Sequence, residues 1–443
     1  MTAVHRLSEG GRIDRRRPLS FTFNGKRYVG SAGDTLASAL LANGVVVVAR
    51  SFKYHRPRGL VASGVEEPNA LVQLETGART VPNARATEVE LYEGLTATSV
   101  NCWPSVDRDM MAVTGMFGRL MPAGFYYKTF MWPKRLWMKY EHYIREASGL
   151  GIAPQLPDVD RYDKMNAHCD VLVVGGGPAG LAAALAAGRS GARVMLADEQ
   201  NAFGGSLLHL HRGSDGAGVS DPCTIDGAPP LAWVEKVTAE LATLREVRLL
   251  RRSTVFGYHD HNFVTINERL CDHLPPADRN GTRERVWRVR AKQVVLATGA
   301  IERPLVFGNN DRPGVMLASA VSAYVNRYAV RPGTRGVVFT NNDSAYQSAL
   351  DLAAAGIPVA AVVDSRRAPG GTLPDRVRRA GIGIIDNAVI VDVKGRKRVS
   401  AVDVMALDAG GERVTGSIRT IACDIVCVSG GWSPAVHLFS QAP

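Results

Sequence analysis

The chain has 443 residues, 46% hydrophobic and 21% charged, with a formal net charge of +11; this is ordinary globular composition in a length that suits two or three domains rather than one core. No run approaches the roughly 20 apolar residues of a membrane helix, the opening MTAVHRLSEGGRIDRRRP lacks the apolar centre of a secretory signal, and the dispersed arginines come with no nucleic-acid motif. These observations argue against a membrane protein, a secreted protein and a nucleic-acid binder. They favour a cytoplasmic protein whose positive charge is explained by solvated surface together with anionic cofactors and an acidic partner subunit.

The first segment reads as a small α+β domain. Leu19 to Phe23 and Lys26 to Gly30 alternate around Asn24-Gly25, a strong hairpin signal. A helix is expected from Thr35 to Asn43, with Asp34 as its N-cap and Gly44 at its stop, and Val45 to Ala49 and Ala70 to Leu74 read as further strands. Hairpin, helix and later strands predict a β-grasp topology over residues 1–94. The stretches FTFNGKRYVGSAGDTLASALLANG and SFKYHRPRGL resemble the ferredoxin-like N-terminal domain of the α subunits of heterotetrameric sarcosine oxidase, and of related subunits of opine oxidase and hydrogen cyanide synthase. In iron-sulfur relatives the loop after the helix carries the cluster cysteines. Here Ser51 to Asn69 contains none, so no Fe–S cluster is expected and the domain reads as a docking or structural element. Lys53, His55, Arg56 and Arg58, interleaved with Phe52 and Tyr54, suit contact with a flavin or nucleotide phosphate or a partner subunit, and equally a solvated loop.

Residues 95–165 are expected to connect or wrap. Trp103, Trp132, Trp137 and the pair Tyr126-Tyr127 make the segment aromatic-rich, and Lys134 to Arg145 suits an amphipathic helix with Leu136, Tyr140 and Tyr143 on one face. A satellite core is the plainer expectation, contact with a neighbouring domain or subunit the other. Gly149 to Asp160, with Pro154 and Pro157, reads as a linker.

The stretch from Cys169 to Glu199 carries the clearest chemistry. Val171 to Val174 is a buried-strand run, and Gly175, Gly177 and Gly180 occupy the glycine places of G-x-G-x-x-G, with Pro178 and Ala179 between the last two. A tight turn, close approach of a pyrophosphate and close helix-to-strand packing each forbid a Cβ. An Ala-rich helix from Leu181 to Arg189 presents its N-terminal N–H groups to that anion. A second strand, Arg193 to Ala197, ends in Asp198 and Glu199, at the distance expected of an acid that accepts from a ribose hydroxyl; an acid there favours NAD or the adenosine of FAD over NADP.

Beyond this point several roles are implied by the resemblance. Gly205 and Ser206 would approach a phosphate, Gln200 would bound the adenine side, Val255 would lie over the adenine, and Thr298-Gly299, in KQVVLATG, would turn beside the dinucleotide. Residues 166–334 and 366–443 are expected to form a dinucleotide-binding domain of the two-dinucleotide, glutathione-reductase-like Rossmann type. Residues 335–365 would be the core of an inserted second βαβ domain, whose turn TNNDSAYQSA lacks the fingerprint glycines and is expected to have lost dinucleotide binding. DIVCVSGGW would supply the closing strand back to the first domain, with Gly430 and Gly431 near the cofactor.

Six cysteines form no CxxC and stand beside no paired histidines, so neither a disulfide framework nor a metal site is expected. His209, His211, His259 and His261 show no ligand spacing, and no residue is identified as catalytic. The resemblance implies a heterotetramer with β, γ and δ subunits that oxidises sarcosine with oxygen to glycine, formaldehyde and hydrogen peroxide. FAD and FMN would be held mainly through the β partner, NAD at the glycine turn of this chain, and tetrahydrofolate in a C-terminal region that this sequence does not contain. A self-sufficient FAD-dependent pyridine-nucleotide oxidoreductase, an opine or proline dehydrogenase subunit, and a scaffold with a structural dinucleotide are the alternatives.

Overall fold

The computed structural model describes residues 3–120, 124, 132–147, 151–210 and 224–442; the tyrosine pair Tyr126-Tyr127, and His211 with Cys223, lie outside them. At the N-terminus, strands β1 (Asp14–Phe23) and β2 (Lys26–Ala32) form the hairpin, and Asn24 and Gly25 both take positive φ, 50° and 74°, as a type I′ turn requires. Helix α1 (Leu36–Ala42) follows and is buried along its whole length. Its cap is Thr35, in place of the expected Asp34. The Thr35 hydroxyl accepts from Ser38 N–H at 3.2 Å while the Ser38 hydroxyl accepts from Thr35 N–H at 2.9 Å, a reciprocal capping box. Asp34 is drawn elsewhere, accepting from Ser31 N–H at 2.8 Å and the Arg6 guanidinium at 2.6 Å.

Strands β3 (Leu71–Leu74), β4 (Val81–Arg85) and β5 (Leu95–Ser99) complete a sheet of order β2-β1-β5-β3-β4, with β5 parallel to β1. The expected strand at Val45 to Ala49 reduces to a two-residue pairing of Ala49–Arg50 with Pro57–Arg58. The loop that follows is organised around a buried carboxylate: Glu67 accepts from Val61, Ala62, Asn69 and Ala70 N–H groups at 2.7–3.1 Å. Burial pushes its pKa up, against the opposing pull of those four donors. Helix α2 (Trp137–Ala147) forms as expected of its periodicity, though Tyr143 is exposed.

The chain divides into two compact units, Met1–Val159 with Pro304–Ser429, and Asp160–Arg303 with Gly430–Pro443. The second contains the glycine turn. Strand β6 (Arg161–Val174), helix α3 (Pro178–Arg189), strand β7 (Val194–Ala197), helix α4 (Pro230–Thr243) and strands β8 (Val247–Leu250), β9 (Ser253–His259), β10 (Phe263–Arg269) and β11 (Thr282–Leu296) build a sheet of order β8-β7-β6-β11-β10-β9. Its first four strands are mutually parallel, while β10 runs antiparallel to β11 and β9 to β10. Both faces are covered, which explains the unbroken apolar run. Val173 and Leu196 pack with Leu181, Trp233 and Val237 of the helices, whereas Leu172, Val174 and Met195 pack with Ile266 and Trp287. A short pair, β12 (Ala300–Glu302) with β21 (Trp432–Pro434), closes this unit.

In the first unit, β13 (Val315–Leu317), helix α5 (Ala318–Asn326), β14 (Gly336–Thr340), helix α6 (Tyr346–Ala354), β15 (Val359–Asp364), β16 (Ile384–Ile385) and β20 (Ile425–Ser429) form a wholly parallel sheet of order β13-β20-β14-β15-β16. Strands β17 (Ala388–Lys394), β18 (Ala401–Leu407) and β19 (Val414–Ala422) form a separate antiparallel sheet in the same unit. The division therefore differs from the expected boundaries: residues 304–334 and 366–429 belong with the N-terminal segment. The run IVCVS, expected to close the dinucleotide domain, instead lies between β13 and β14, because its N–H and C=O groups pair there; only from Gly430 does the chain return.

Candidate functional site

The glycine turn sits where β6 gives way to α3, and its glycines answer to different constraints. A Cβ on Gly175, which has φ +101°, would collide with the Ala297 carbonyl. One on Gly180 would strike the Gly175 carbonyl, and one on Gly176 the Phe203 ring. A Cβ on Gly177 would meet nothing nearer than the Cα of Gly205, at 4.0 Å. Gly177, in extended conformation, is the N-cap of α3, with Pro178 at its first turn and no side-chain cap. The absent Cβ there is not explained by packing within the chain, and it leaves space at the positive end of a twelve-residue helix.

Asp198 is buried, and its carboxylate is engaged inside the protein, accepting from Gly176 N–H at 2.6 Å and Gln200 N–H at 2.8 Å. Glu199 and Gln200 are half-buried beside it. The loop beyond returns to the turn: Gly204 N–H donates to the Gly176 carbonyl at 2.8 Å, Gly205 faces Gly177, and Ser206 is exposed in a 3₁₀ turn spanning Gly205–His209. Ser253 N–H donates to the Asp198 carbonyl at 2.7 Å, so β9 starts at this edge, and Val255 pairs with Ile266 and packs on the core beneath.

From β11, Ala297 N–H bonds the Val174 carbonyl at 2.8 Å, placing Thr298 and Gly299 beside the turn. The Thr298 hydroxyl donates to the Ala435 carbonyl at 2.7 Å, and Gly430 and Gly431 exchange backbone hydrogen bonds with Arg303 at 2.6 and 2.8 Å. The fold thus brings residues 175–180, 198–206 and 297–299 together, with 430–431 attached through the β12–β21 pair.

Sequence reasoning did not single out the arginines nearby. The Arg269 guanidinium donates to the Glu199 carbonyl at 3.0 Å, Arg252 N–H to the Gln200 carbonyl at 2.9 Å, and Arg251 stacks over the Phe203 ring at 5.2 Å. Together with Leu249, Glu268 and Leu270 these three arginines line a cleft of ≈ 380 Å³. Their spacing carries no signal, because two come from the end of β8 and one from β10.

In the first unit, the basic run after Ser51 is largely committed to internal ties. Arg56 and Arg58 both pair with Asp311, and His55 Nδ1 lies 2.8 Å from Asp109. The second βαβ turn is closed by its own side chains. Asn342 Oδ1 accepts from Ser344 N–H at 3.1 Å, and its amide donates to the Ser429 hydroxyl at 3.0 Å. Asp364, at the end of β15, is buried and taken up by the Tyr346 hydroxyl at 2.7 Å and by Arg366 at 2.8 Å.

A glycine turn with one open Cβ position, at a helix N-terminus that follows one of four mutually parallel strands covered on both faces, is the arrangement of a Rossmann-type α/β fold. Residues 169–443 match the family model of the pyridine nucleotide-disulphide oxidoreductases, and the chain belongs to that family. Over 98% of its length it is 49% identical to the sarcosine oxidase subunit alpha of Rhizobium meliloti (strain 1021), and 41% identical to that of Corynebacterium sp. (strain P-1). It spans only 42% and 39% of those relatives. The L-proline dehydrogenase of P. horikoshii shares the fold, with a TM-score of 0.60 at 18% identity, covering 100% of this chain and 65% of that one.

One expectation is corrected. Residues 16–102 match the model of a 2Fe-2S iron-sulfur cluster binding domain, which overturns the inference of no Fe–S cluster drawn from the cysteine-free loop. The matched segment itself holds one cysteine, Cys102, whose thiol is pushed up by burial and by Asp109. That single thiol does not by itself make up a four-thiolate ligand set.

Proposed function

We propose that this chain is the dinucleotide-holding part of a flavin-dependent amine oxidase complex, with NAD at the glycine turn and sarcosine as the substrate of the assembly. The observation that carries the NAD reading is the open Cβ position of Gly177 facing Gly205, surrounded by glycines that are fixed by packing. Pro178, Ala179 and the N–H groups of α3 would receive the pyrophosphate, Glu199 the adenosine ribose, and Gly205 and Ser206 the outer phosphate edge. Gln200, Val255, Thr298-Gly299 and Gly430-Gly431 would bound the rest. Bound NAD supplies a two-electron acceptor; the chain's own residues bind and orient it.

The sarcosine reading rests on likeness to relatives named as subunit alpha. That naming supports partner subunits, for which β, γ and δ chains are proposed, with FAD and FMN held mainly through the β partner. Mass spectrometry of the nucleotide released on denaturing the purified chain is expected to find NAD. FAD in its place would favour a self-sufficient flavin oxidoreductase, and no nucleotide would defeat the reading. Co-expression with the β-type partner is expected to give peroxide production dependent on sarcosine; a folded complex active on opines or proline instead would overturn the substrate.

A further inference from the structure

The loop spanning residues 61–70 holds a buried charge among neutral donors. Glu67 is 1% exposed, and four main-chain N–H groups converge on its carboxylate at 2.7–3.1 Å. Among the described residues no guanidinium or ammonium pairs with it. Burial pushes the carboxyl up in spite of the four donors, so bulk stability does not account for a carboxylate at this place.

Its two oxygens serve different parts of the unit. Oε1 accepts from Asn69 and Ala70 at the start of β3; the Ala70 carbonyl then takes Ala86 N–H at 2.9 Å, and the Ala86 carbonyl takes Ala37 N–H of α1 at 2.9 Å. Oε2 accepts from Val61 and Ala62. The carbonyls of those same two residues are taken from the far side: Leu317 N–H donates to Val61 at 2.7 Å, and the buried Tyr324 hydroxyl of α5 donates to Ala62 at 2.9 Å. Because β13 is the edge strand of its parallel sheet, Val61 also caps a main-chain donor on that edge. One apolar core runs under both parts, joining Leu36, Leu40 and Val72 to Val321, Tyr324 and Ala349. Apolar contact is non-directional and leaves the register of the two parts open. Hydrogen bonds through two peptide groups fix it.

We propose that residues 61–70 form a built anion site, selective for a carboxylate, which the protein fills with its own Glu67, and that through the Val61 and Ala62 peptide groups this charge sets the N-terminal sheet in register with β13 and α5. Glu67 is thus a positioning residue for the first unit.

Amide hydrogen exchange of the full chain, with and without added acetate, tests it. Glu67→Ala removes the carboxylate and leaves room for acetate. Val61, Ala62, Asn69 and Ala70 are expected to exchange at least about tenfold faster, each losing a charge-assisted hydrogen bond, and Leu317 with them, while β1, β2 and β14 keep their protection. Acetate is expected to restore all five amides in a saturable manner. Acetamide, of the same shape but uncharged, is not. Glu67→Gln keeps the volume if the alanine variant does not fold; with one acceptor oxygen in place of two, it should lose protection at one of the two amide pairs. Loss confined to residues 61–70 with Leu317 still protected overturns the coupling. Restoration by acetate and acetamide alike, or by neither, overturns the anion site, and so does full protection of all four amides in Glu67→Gln.

Discussion

At the level of single residues, Gly177 and Gly180 are three positions apart and differ in what a side chain would meet. At Gly180 the obstacle is the chain itself, the Gly175 carbonyl and the Ala297 methyl. At Gly177 the space is open and the backbone, φ −72° and ψ −175°, suits any residue. Gly177→Ala is therefore expected to keep the thermal midpoint within a degree or so while lowering NAD affinity about tenfold or more. Gly180→Ala should lose about 3 kcal/mol or fail to fold, as overpacking against backbone does; calorimetric titration and thermal melts distinguish the two.

Asp311 offers a second residue-scale expectation. Burial works to raise its carboxyl, but the hydrogen bond from Arg56 and the charges of Arg58 and Arg56 outweigh that and hold it below the usual carboxylate range. A depressed folded pKa gives stability that is fully present above the unfolded value near 4 and is lost as pH falls through the folded one. Asp311→Asn is expected to cost about 1–2 kcal/mol at neutral pH and to flatten the acid limb of the stability curve below about pH 5, read from denaturant melts across that range.

At the level of elements, the capping box of α1 is the clearest lever. Removing the Thr35 hydroxyl leaves Ser38 N–H without its partner in a wholly buried helix. Thr35→Ala is expected to destabilise by about 1 kcal/mol, read from the urea midpoint at unchanged slope. This cap also marks where the sequence stopped being legible. Asp34 and Thr35 are both good N-caps by type, and the choice fell to Thr35 because Arg6, distant in sequence, takes the Asp34 carboxylate. The Asn24-Gly25 hairpin and the turn into α3 also have distant partners, Ser99 and Asp198, but their glycines fix the turns locally, and they formed where the sequence put them. Val45 to Ala49 shows the converse: its β-branched run has strand propensity, but of these residues Ala49 alone enters a strand ladder, with Val48 N–H donating to the Arg58 carbonyl beside it.

At the level of the whole chain, each unit is assembled from two separated segments. IVCVS is apolar throughout, which predicts a strand buried on both faces, but nothing local says which strands will flank it. The same limit hid the arginine cleft, whose members are ordinary surface arginines until β8 and β10 are placed. Added NAD is expected to slow amide exchange within residues 175–206 and at 297–299, all in the second unit, and to leave β13, β14 and β20 unchanged. Equal slowing in both units would count against a single site at the glycine turn.

The clasp between residues 298–303 and 430–435 has a consequence for how the protein is made. A ribosome delivers the chain from its N-terminus, at roughly 5–20 residues per second. The glycine turn and its sheet therefore emerge well before the strand Trp432–Pro434 that pairs with Ala300–Glu302. For the time needed to synthesise more than a hundred intervening residues, the nascent unit must persist with that edge unpaired. On the dinucleotide reading proposed above, a nucleotide that binds early would stabilise it during this interval, and raising the nucleotide supply during expression is expected to raise the yield of folded chain.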